Sequence, residues 1–372
     1  MRILLNSLIL TEKHTGYATV ISNYVYELSK YLSDNDINLE IFILIQKRAY
    51  LEFFSNIKLH DKIKFIIVKN LNLPIRLIYD QIIINYYLKK YNCDILHSPA
   101  TLGTVFSIKP QILFFHASTT FMLPRSMHGR SFLATWLSNL IIKHSALNSK
   151  KILTTTSVTG RELERFLKRK IDFIPIYNGL PYVKKDFKLE NIKDIIKNLK
   201  DKKFVFYLSS FYKLKNHEVM IKAAKENKDI IFVLAGSSIQ EDYFKYCVDL
   251  SKNLDNVIIL ESINEDEKAF LYKNCYAYIC PSLFEGFALT PLEALSFNKP
   301  IILSDIEVLH EVYGKKFIYF NPYDYKSLNT AIKKIDDEYK NYCTDNELLN
   351  KYSWKNFLLR NLKVYEEIEK GI

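Results

Sequence analysis

Cysteine is scarce in this chain, and it is not paired. The 372 residues hold 5 cysteines, Cys93, Cys247, Cys275, Cys280 and Cys343, odd in number, widely spaced and without a C-x-x-C pair. That pattern excludes a disulfide framework and a cysteine-based zinc site, and reads as reduced core thiols in a cytoplasmic protein. Long apolar runs are missing too. No stretch approaches the roughly 20 apolar residues of a membrane-spanning helix. The longest, 132–142, is interrupted by Thr135, Ser138 and Asn139. The first ten residues carry one base, Arg2, and break at Asn6 and Ser7, which reads as a strand and not as a secretory signal. Glycine is also scarce, at 9 residues, and neither an internal repeat nor a low-complexity tail is present. Acidic residues are absent between Asp94 and Glu162, an interval that holds Lys109, Arg125, Arg130, Lys143, Lys150, Lys151, Arg161 and four histidines.

The net charge of +11 is therefore unevenly placed: residues 1–175 hold 23 basic and 12 acidic side chains, and the rest of the chain is neutral. A patch of this kind attracts phosphate, on a membrane or on nucleic acid. A solvated basic surface without a partner is the plain alternative. Neither a helix-turn-helix nor a base-stacking motif supports nucleic acid.

Short β-rich runs alternate with amphipathic runs. Strands are expected at Arg2–Leu5, Leu39–Leu44, Lys64–Val68, Asp94–His97, Gln111–Phe115, Lys151–Thr155 and Phe173–Ile176. Helices are expected near Tyr17–Leu32, Pro74–Tyr91, Met127–Ala146 and Val158–Leu167. After the turn Tyr177-Asn178-Gly179-Leu180-Pro181 and the charged segment 184–203, the plan repeats. Strands are expected at Phe204–Leu208, Ile230–Ala235, Val257–Leu260, Tyr276–Cys280 and Pro300–Ser304, with helices at His217–Lys225 and Glu241–Lys252 and a helix start at Asn264-x-x-Glu267. This alternation predicts two doubly wound parallel α/β domains. On Met127–Ala146 the stripe Phe132, Leu133, Trp136, Leu137, Leu140 and Ile141 reads first as core. Phe121, Met122 and Leu123 beside it keep a membrane-interfacial reading open.

The segment from Cys280 to Leu295 carries the chemistry. A buried strand ends at Cys280 and a loop follows with Gly286. Thr290 reads as an N-cap, Pro291 as the first helical residue and Glu293 as the capping-box glutamate. The loop then presents backbone N–H groups at a strand's carboxyl end, where open α/β sheets bind phosphates. Glu285 has no capping role and is available to a ligand.

The run E-G-F-A-L-T-P-L-E-A, with Pro300-Ile301-Ile302 and Ser304 behind it, closely resembles the E-x7-E signature of family 4 glycosyltransferases, a retaining GT-B family. Further matches extend the resemblance over most of the chain: Asn178-Gly179, Lys215-Asn216, Leu234-Ala235-Gly236, Glu311-Val312 and Trp354, with weaker ones at Thr15-Gly16 and His116. Three positions depart from the pattern. Ser210 stands for a frequent arginine, Ala117 for an aspartate and Ala288 for the second glycine of the loop.

The resemblance implies a GT-B fold: two Rossmann-like domains facing a cleft, with an acceptor domain at 1–177, a nucleotide-sugar domain at 178–351, and a final helix, 352–372, crossing back to the first. It implies that Glu285 bonds donor sugar hydroxyls and Glu293 the ribose. Gly286 and the amides of Phe287, Ala288 and Leu289 would hold the diphosphate or sugar, and Lys215 would neutralise the leaving diphosphate. Gly16 would let the backbone approach that diphosphate, and His116 would touch the donor sugar or the acceptor. Fixed N–H donors and a lysine stabilise the charge that develops on the departing group, so no metal and no cofactor are expected. The one D-x-D match, Asp34-Asn35-Asp36, reads as a turn after a helix.

The expected activity is sugar transfer from a nucleotide diphosphate to a glycan or lipid-linked acceptor in bacterial surface polysaccharide synthesis, at the inner face of an anionic membrane. A nucleotide-sugar epimerase or hydrolase is the alternative within the fold, and a nucleic-acid-binding protein the alternative outside it.

Overall fold

The computed structural model describes residues 1–12, 15–117, 132–338 and 346–371. The chain divides into two compact units, Met1–Gly179 with Tyr352–Ile372, and Leu180–Lys351. Each is built on one parallel sheet. In the first unit β1 (Arg2–Asn6), β2 (Glu40–Gln46), β3 (Ile63–Val68), β4 (Ile95–Ser98), β5 (Gln111–Phe115), β6 (Lys151–Thr154) and β7 (Ile174–Pro175) lie in the order β3-β2-β1-β4-β5-β6-β7. In the second, β8 (Phe204–Leu208), β9 (Ile231–Ala235), β10 (Val257–Leu260), β11 (Ala277–Cys280), β12 (Ile301–Ser304) and β13 (Ile318–Phe320) take the order β10-β9-β8-β11-β12-β13. Both are doubly wound Rossmann-like sheets. The strand order reverses between β1 and β4 in the first and between β8 and β11 in the second, and such switch points are where open parallel sheets bind ligands.

The strands read as near-continuous apolar runs because helices cover both faces. Alternate residues of β1 divide between two cores. Ile3 and Leu5 pack with the helices Gly16–Asp34 and Trp354–Glu369, while Leu4 packs with Ile84 and Leu88 of the helix after β3. The last helix thus completes the core of the first unit. Trp354 lies against Gly179, where an added Cβ would come within 2.5 Å of the Trp354 backbone nitrogen. Two motifs far apart in sequence, Asn178-Gly179 and Tyr352-Ser353-Trp354, are therefore one packing feature.

The helix expected at Pro74–Tyr91 is present in three pieces: Leu73–Ile78, a π-helical turn at Tyr79–Ile83, and Ile84–Lys90. The turn buries Asp80, whose carboxylate accepts from Asn6 Nδ2 at 2.8 Å. Asp34-Asn35-Asp36 does end a helix. Asn264 and Glu267 form a reciprocal capping box.

The stripe on the next helix, Phe132–Leu147, faces the other way from the core reading. Leu133, Trp136, Leu137 and Leu140 are exposed, and Ile141 with Ile142 and Ala146 packs inward. Phe121, Met122, Leu123, Arg125, Met127, His128 and Arg130 lie outside the described residues, as do His14 and Cys343. Among the described residues no helix is long and apolar enough to cross a membrane.

Candidate functional site

The second unit builds its site where β8 and β11 lie side by side. After β8 the chain passes through a 3₁₀ turn, Lys213–Lys215, into Asn216, which takes a left-handed conformation (φ 55°) and starts the helix His217–Ala224. The Asn216 amide donates to the carbonyl oxygens of Pro281 (3.0 Å) and Pro322 (2.7 Å). The Leu283 N–H donates to the Leu214 carbonyl at 2.8 Å. Tyr207 and Ser282 hydroxyls meet at 3.0 Å. These bonds lock the loop after β8 to the loop after β11. Lys215 Nζ thereby reaches Glu285 Oε1 at 2.6 Å, with the carboxylate only 11% exposed. A short charge-assisted contact of this kind needs both loops held. The sequence left Glu285 available to a ligand; the structure pairs it with Lys215.

Gly236 belongs to the same frame. It follows β9 directly at φ +151°, and a Cβ there would lie 1.9 Å from the Ser209 carbonyl oxygen, so only glycine lets the two strand ends approach. The Ser209 carbonyl accepts from His217 Nε2 at 3.2 Å. The His217 ring stacks on Phe211 at 4.1 Å. Ser210 meets the Ser237 hydroxyl at 3.1 Å, and Lys213 is exposed.

Glu293 departs from its capping role. The helix runs Thr290–Ser296, its N-cap is Leu289 in the αR region, and no side chain caps it. Thr290 is already helical, so Glu293 falls one step past the N3 position that would close a capping box. Its buried carboxylate instead accepts from the Tyr272 hydroxyl at 2.7 Å and faces Lys268 Nζ at 3.5 Å. Burial pushes its acid up from the usual carboxylate range, against the pull of Lys268.

Between the two glutamates, Phe287 and Ala288 are buried, while Gly286 and Leu289 are partly exposed. Ala288 holds φ +64°, the left-handed region that a Cβ disfavours, and its carbonyl accepts from the Tyr313 hydroxyl. A glycine would take this backbone without steric cost. Ala288→Gly is therefore expected to raise stability by about 0.5–1 kcal/mol, since the strain relieved exceeds the extra freedom of the unfolded chain. Urea denaturation checks it; a loss of stability would show that the Ala288 methyl packs to more effect than its backbone strains.

In the first unit Gly16 opens the helix Gly16–Asp34 and is exposed, and among the described residues nothing beyond its chain neighbours and its own helix comes within 4 Å of an added Cβ. Thr15 caps the helix by accepting from the Ala18 N–H. The next residue, Tyr17, joins the ends of three strands: its hydroxyl meets Thr101 Oγ1 at 3.0 Å and its ring stands edge-on to His116 at 5.0 Å. His116 Nε2 donates to the Pro99 carbonyl at 2.9 Å, and burial lowers its pKa to about 4, so the ring is neutral at pH 7. Gly16 and His116 thus gather at one strand-end region of the first unit, and Lys215, Glu285 and the 286–289 loop at that of the second.

His97 at the end of β4, which reads equally as structural or acceptor-lining in the sequence, is fully interior. Its Nδ1 meets the Tyr365 hydroxyl at 2.6 Å, and that hydroxyl meets Tyr24 at 2.7 Å. Tyr17 and Tyr272 are the site residues that sequence reasoning missed. Tyr17 had a signal, its place directly behind Gly16. The Tyr272–Glu293 contact had none.

Residues 189–347 match the family described as "Glycosyl transferases group 1". The chain is similar to the O-antigen chain mannosyltransferase RfbU of Salmonella typhimurium, 27% identical over 260 residues that make up 69% of this chain and 67% of that one. Among solved structures it resembles sucrose-phosphate synthase of Thermosynechococcus elongatus, with TM-score 0.78 and 16% identity over all of both chains. It also resembles Anabaena HepE in complex with UDP and glucose, with TM-score 0.74 and 12% identity over 99% of this chain and 100% of that one. These two are GT-B glycosyltransferases, and the likeness to them is one of fold. The family match and the mannosyltransferase relative make the chain an enzyme, a glycosyltransferase of the hexosyltransferase kind.

Proposed function

We propose that this glycosyltransferase moves a hexose, mannose being the first candidate, from a nucleoside diphosphate donor onto a glycan or lipid-linked acceptor during synthesis of a surface polysaccharide. The reading includes retention of the anomeric configuration, as in family 4. The observation that carries it is the Lys215–Glu285 pair at the switch point of the second sheet. A diphosphate arriving there would take Lys215 as its counter-ion and release Glu285 to accept from sugar hydroxyls. One contact would thus be exchanged for two, both on the reacting bond. Negative charge developing on the leaving diphosphate would meet a lysine already in position. The amides of the 286–289 loop would add fixed N–H donors. Glu293 would turn from Tyr272 to the ribose hydroxyls. Gly16 would give the diphosphate a backbone surface without a Cβ, and His116, neutral at pH 7, would hydrogen-bond the donor sugar or acceptor. None of these roles uses a metal, so transfer should survive EDTA.

The mannosyltransferase relative supports the sugar class, and the UDP held by HepE supports a nucleotide donor. Thermal shift against GDP-, UDP- and dTDP-sugars tests the donor. One class should stabilise the protein by about 2.7 kcal/mol at a hundredfold excess over Kd. No shift with any nucleotide would remove the donor reading. Donor consumption without an acceptor would point to the epimerase or hydrolase alternative, and NMR of the product anomer tests retention.

A further inference from the structure

We infer that the outer face of the first unit formed by helix 73–90, loop 103–109 and helix Phe132–Leu147 lies on an anionic lipid bilayer. It presents Ile78, Ile82, Tyr86, Phe106, Trp136 and Leu140 to it. The inference rests on this surface and does not depend on which sugar the enzyme transfers.

The two helices cover the same side of one sheet. Leu96 packs with Ile84 and Leu88, Ser98 is two residues on and so points the same way, and Ser98 is the register partner of Leu113. Leu113 packs with Ile142 and Ala146 of the second helix. With their inner residues committed to the sheet, both helices turn apolar side chains outward. On the first, Ile78, Ile82 and Tyr86 recur at four-residue spacing and are all exposed, Ile82 by 65%. On the second, Trp136 and Leu140 lie one turn apart, and Trp136 is 54% exposed.

The loop between them is held and not floppy. Gln81 bonds the Gly103 carbonyl and the Val105 N–H, each at 2.9 Å. Asn85 bonds the Phe106 carbonyl at 2.9 Å and the Ile108 N–H at 3.0 Å. Asn148, just past the second helix, bonds the Val105 carbonyl at 3.0 Å. Five hydrogen bonds thus fix a backbone that leaves Phe106 78% exposed. A loop built to hide its phenylalanine would not be pinned in this way. Exposed apolar side chains gathered on two helices and a pinned loop on one side of a sheet mark an interaction site.

Charge selects the partner. From residue 81 to residue 161 the sequence has a single acidic residue, Asp94, which accepts from the Arg2 N–H at 2.8 Å. Lys89, Lys90, Lys143 and Lys150 are exposed around the apolar residues. Apolar side chains framed by lysines, with acids absent, suit an interface of acyl chains and anionic headgroups. Lys151 does not contribute, because its ammonium is paired with Glu367 at 2.9 Å.

The two tryptophans give a direct readout, since Trp354 is only 9% exposed and Trp136 is on the surface. The full chain is mixed with phosphatidylglycerol or phosphatidylcholine vesicles at low and high salt, then sedimented. Phosphatidylglycerol vesicles should carry the protein down at low salt and shift its fluorescence to the blue. Trp136→Phe should abolish the shift but keep the protein on the vesicles. Ile82→Asp with Phe106→Asp should lower partitioning by about tenfold or more. Lys143→Glu with Lys150→Glu should weaken it on anionic vesicles alone. All these side chains are exposed, so melting temperature and donor-induced thermal shift should stay at wild-type values; that shift, measured on the same samples, separates failure of this inference from failure of the sugar-transfer reading. Equal sedimentation of wild type and the aspartate double variant overturns the inference, as does absence of binding to any vesicle. A wild-type dimer in ultracentrifugation that the double variant dissolves also overturns it, since a second copy would then cover the face.

Discussion

Lys215→Ala is expected to lower kcat by about 10²–10³-fold, the usual cost of removing one preorganised donor from a developing negative charge. The variant should remain folded, because Lys215 ends a surface turn whose backbone is held by other groups: Leu214 by Leu283, and Asn216 by Pro281 and Pro322. Glu285→Gln keeps the shape of the side chain and removes its charge. It should weaken sugar binding and turnover together, because its bonds to the sugar would form in the ground state and strengthen in the transition state. The two effects should not add. Each single change strands the partner of a 2.6 Å ion pair, and the double variant strands neither. Steady-state kinetics of the two singles and the double form the cycle. Wild-type turnover in Lys215→Ala would end the diphosphate role, and full additivity would show that the two side chains act apart.

The architecture was largely legible because strands such as Phe204–Leu208, Ile231–Ala235 and Val257–Leu260 are unbroken apolar runs between turn residues. What escaped depended on partners distant in sequence. Helix Tyr325–Glu338 was missed although Leu328, Ala331, Ile332 and Ile335 have helical spacing and are buried. The many charges around them mask the pattern. Strand Ile318–Phe320 is too short to show a period. Both glutamates of the motif were recognisable, but their contacts were not. Glu285 lies 70 residues from Lys215, and only the adjacency of β8 and β11 brings them together. Glu293 passed for a cap because Thr-Pro-x-Glu has the spacing of one, until Leu289 turned out to begin the helix and Tyr272 to hold the carboxylate. The stripe on Phe132–Leu147 shows the same limit: periodicity says that a helix has two faces and is silent on which of them meets the sheet.

Stability should fall steeply below pH 6, through histidines buried in neutral form. His97 and His217 are 2% and 0% exposed, and burial depresses each pKa to about 3. Among the described residues each has one ring nitrogen with no hydrogen-bond partner, Nε2 of His97 and Nδ1 of His217, so a charged ring would leave one N–H unsatisfied. A folded pKa below the unfolded value of about 6.5 means that the unfolded chain binds more protons between the two, so stability is fully present above pH 6.5 and is lost as pH falls toward 3. At pH 5 each ring should remove about 2 kcal/mol, a large share of the 5–15 kcal/mol of a typical domain. His116, partly exposed, adds in the same direction and less. Asp80 and Glu293, whose acids burial raises, act with the opposite sign in the window above the unfolded carboxyl pKa and blunt the slope. The contribution of each ring is isolated by glutamine, which can still donate a hydrogen bond but does not titrate. His217→Gln should flatten the acid limb of a urea-midpoint profile by up to one proton, and so should His97→Gln. His217 also fixes the Ser209 carbonyl beside the Lys215 turn, and its folded ring stays neutral down to about pH 3, so donor-induced stabilisation should hold from pH 7 to 5 while the urea midpoint falls. A urea midpoint unchanged from pH 7 to 5 would show that both rings find a way to hold their proton in the folded state.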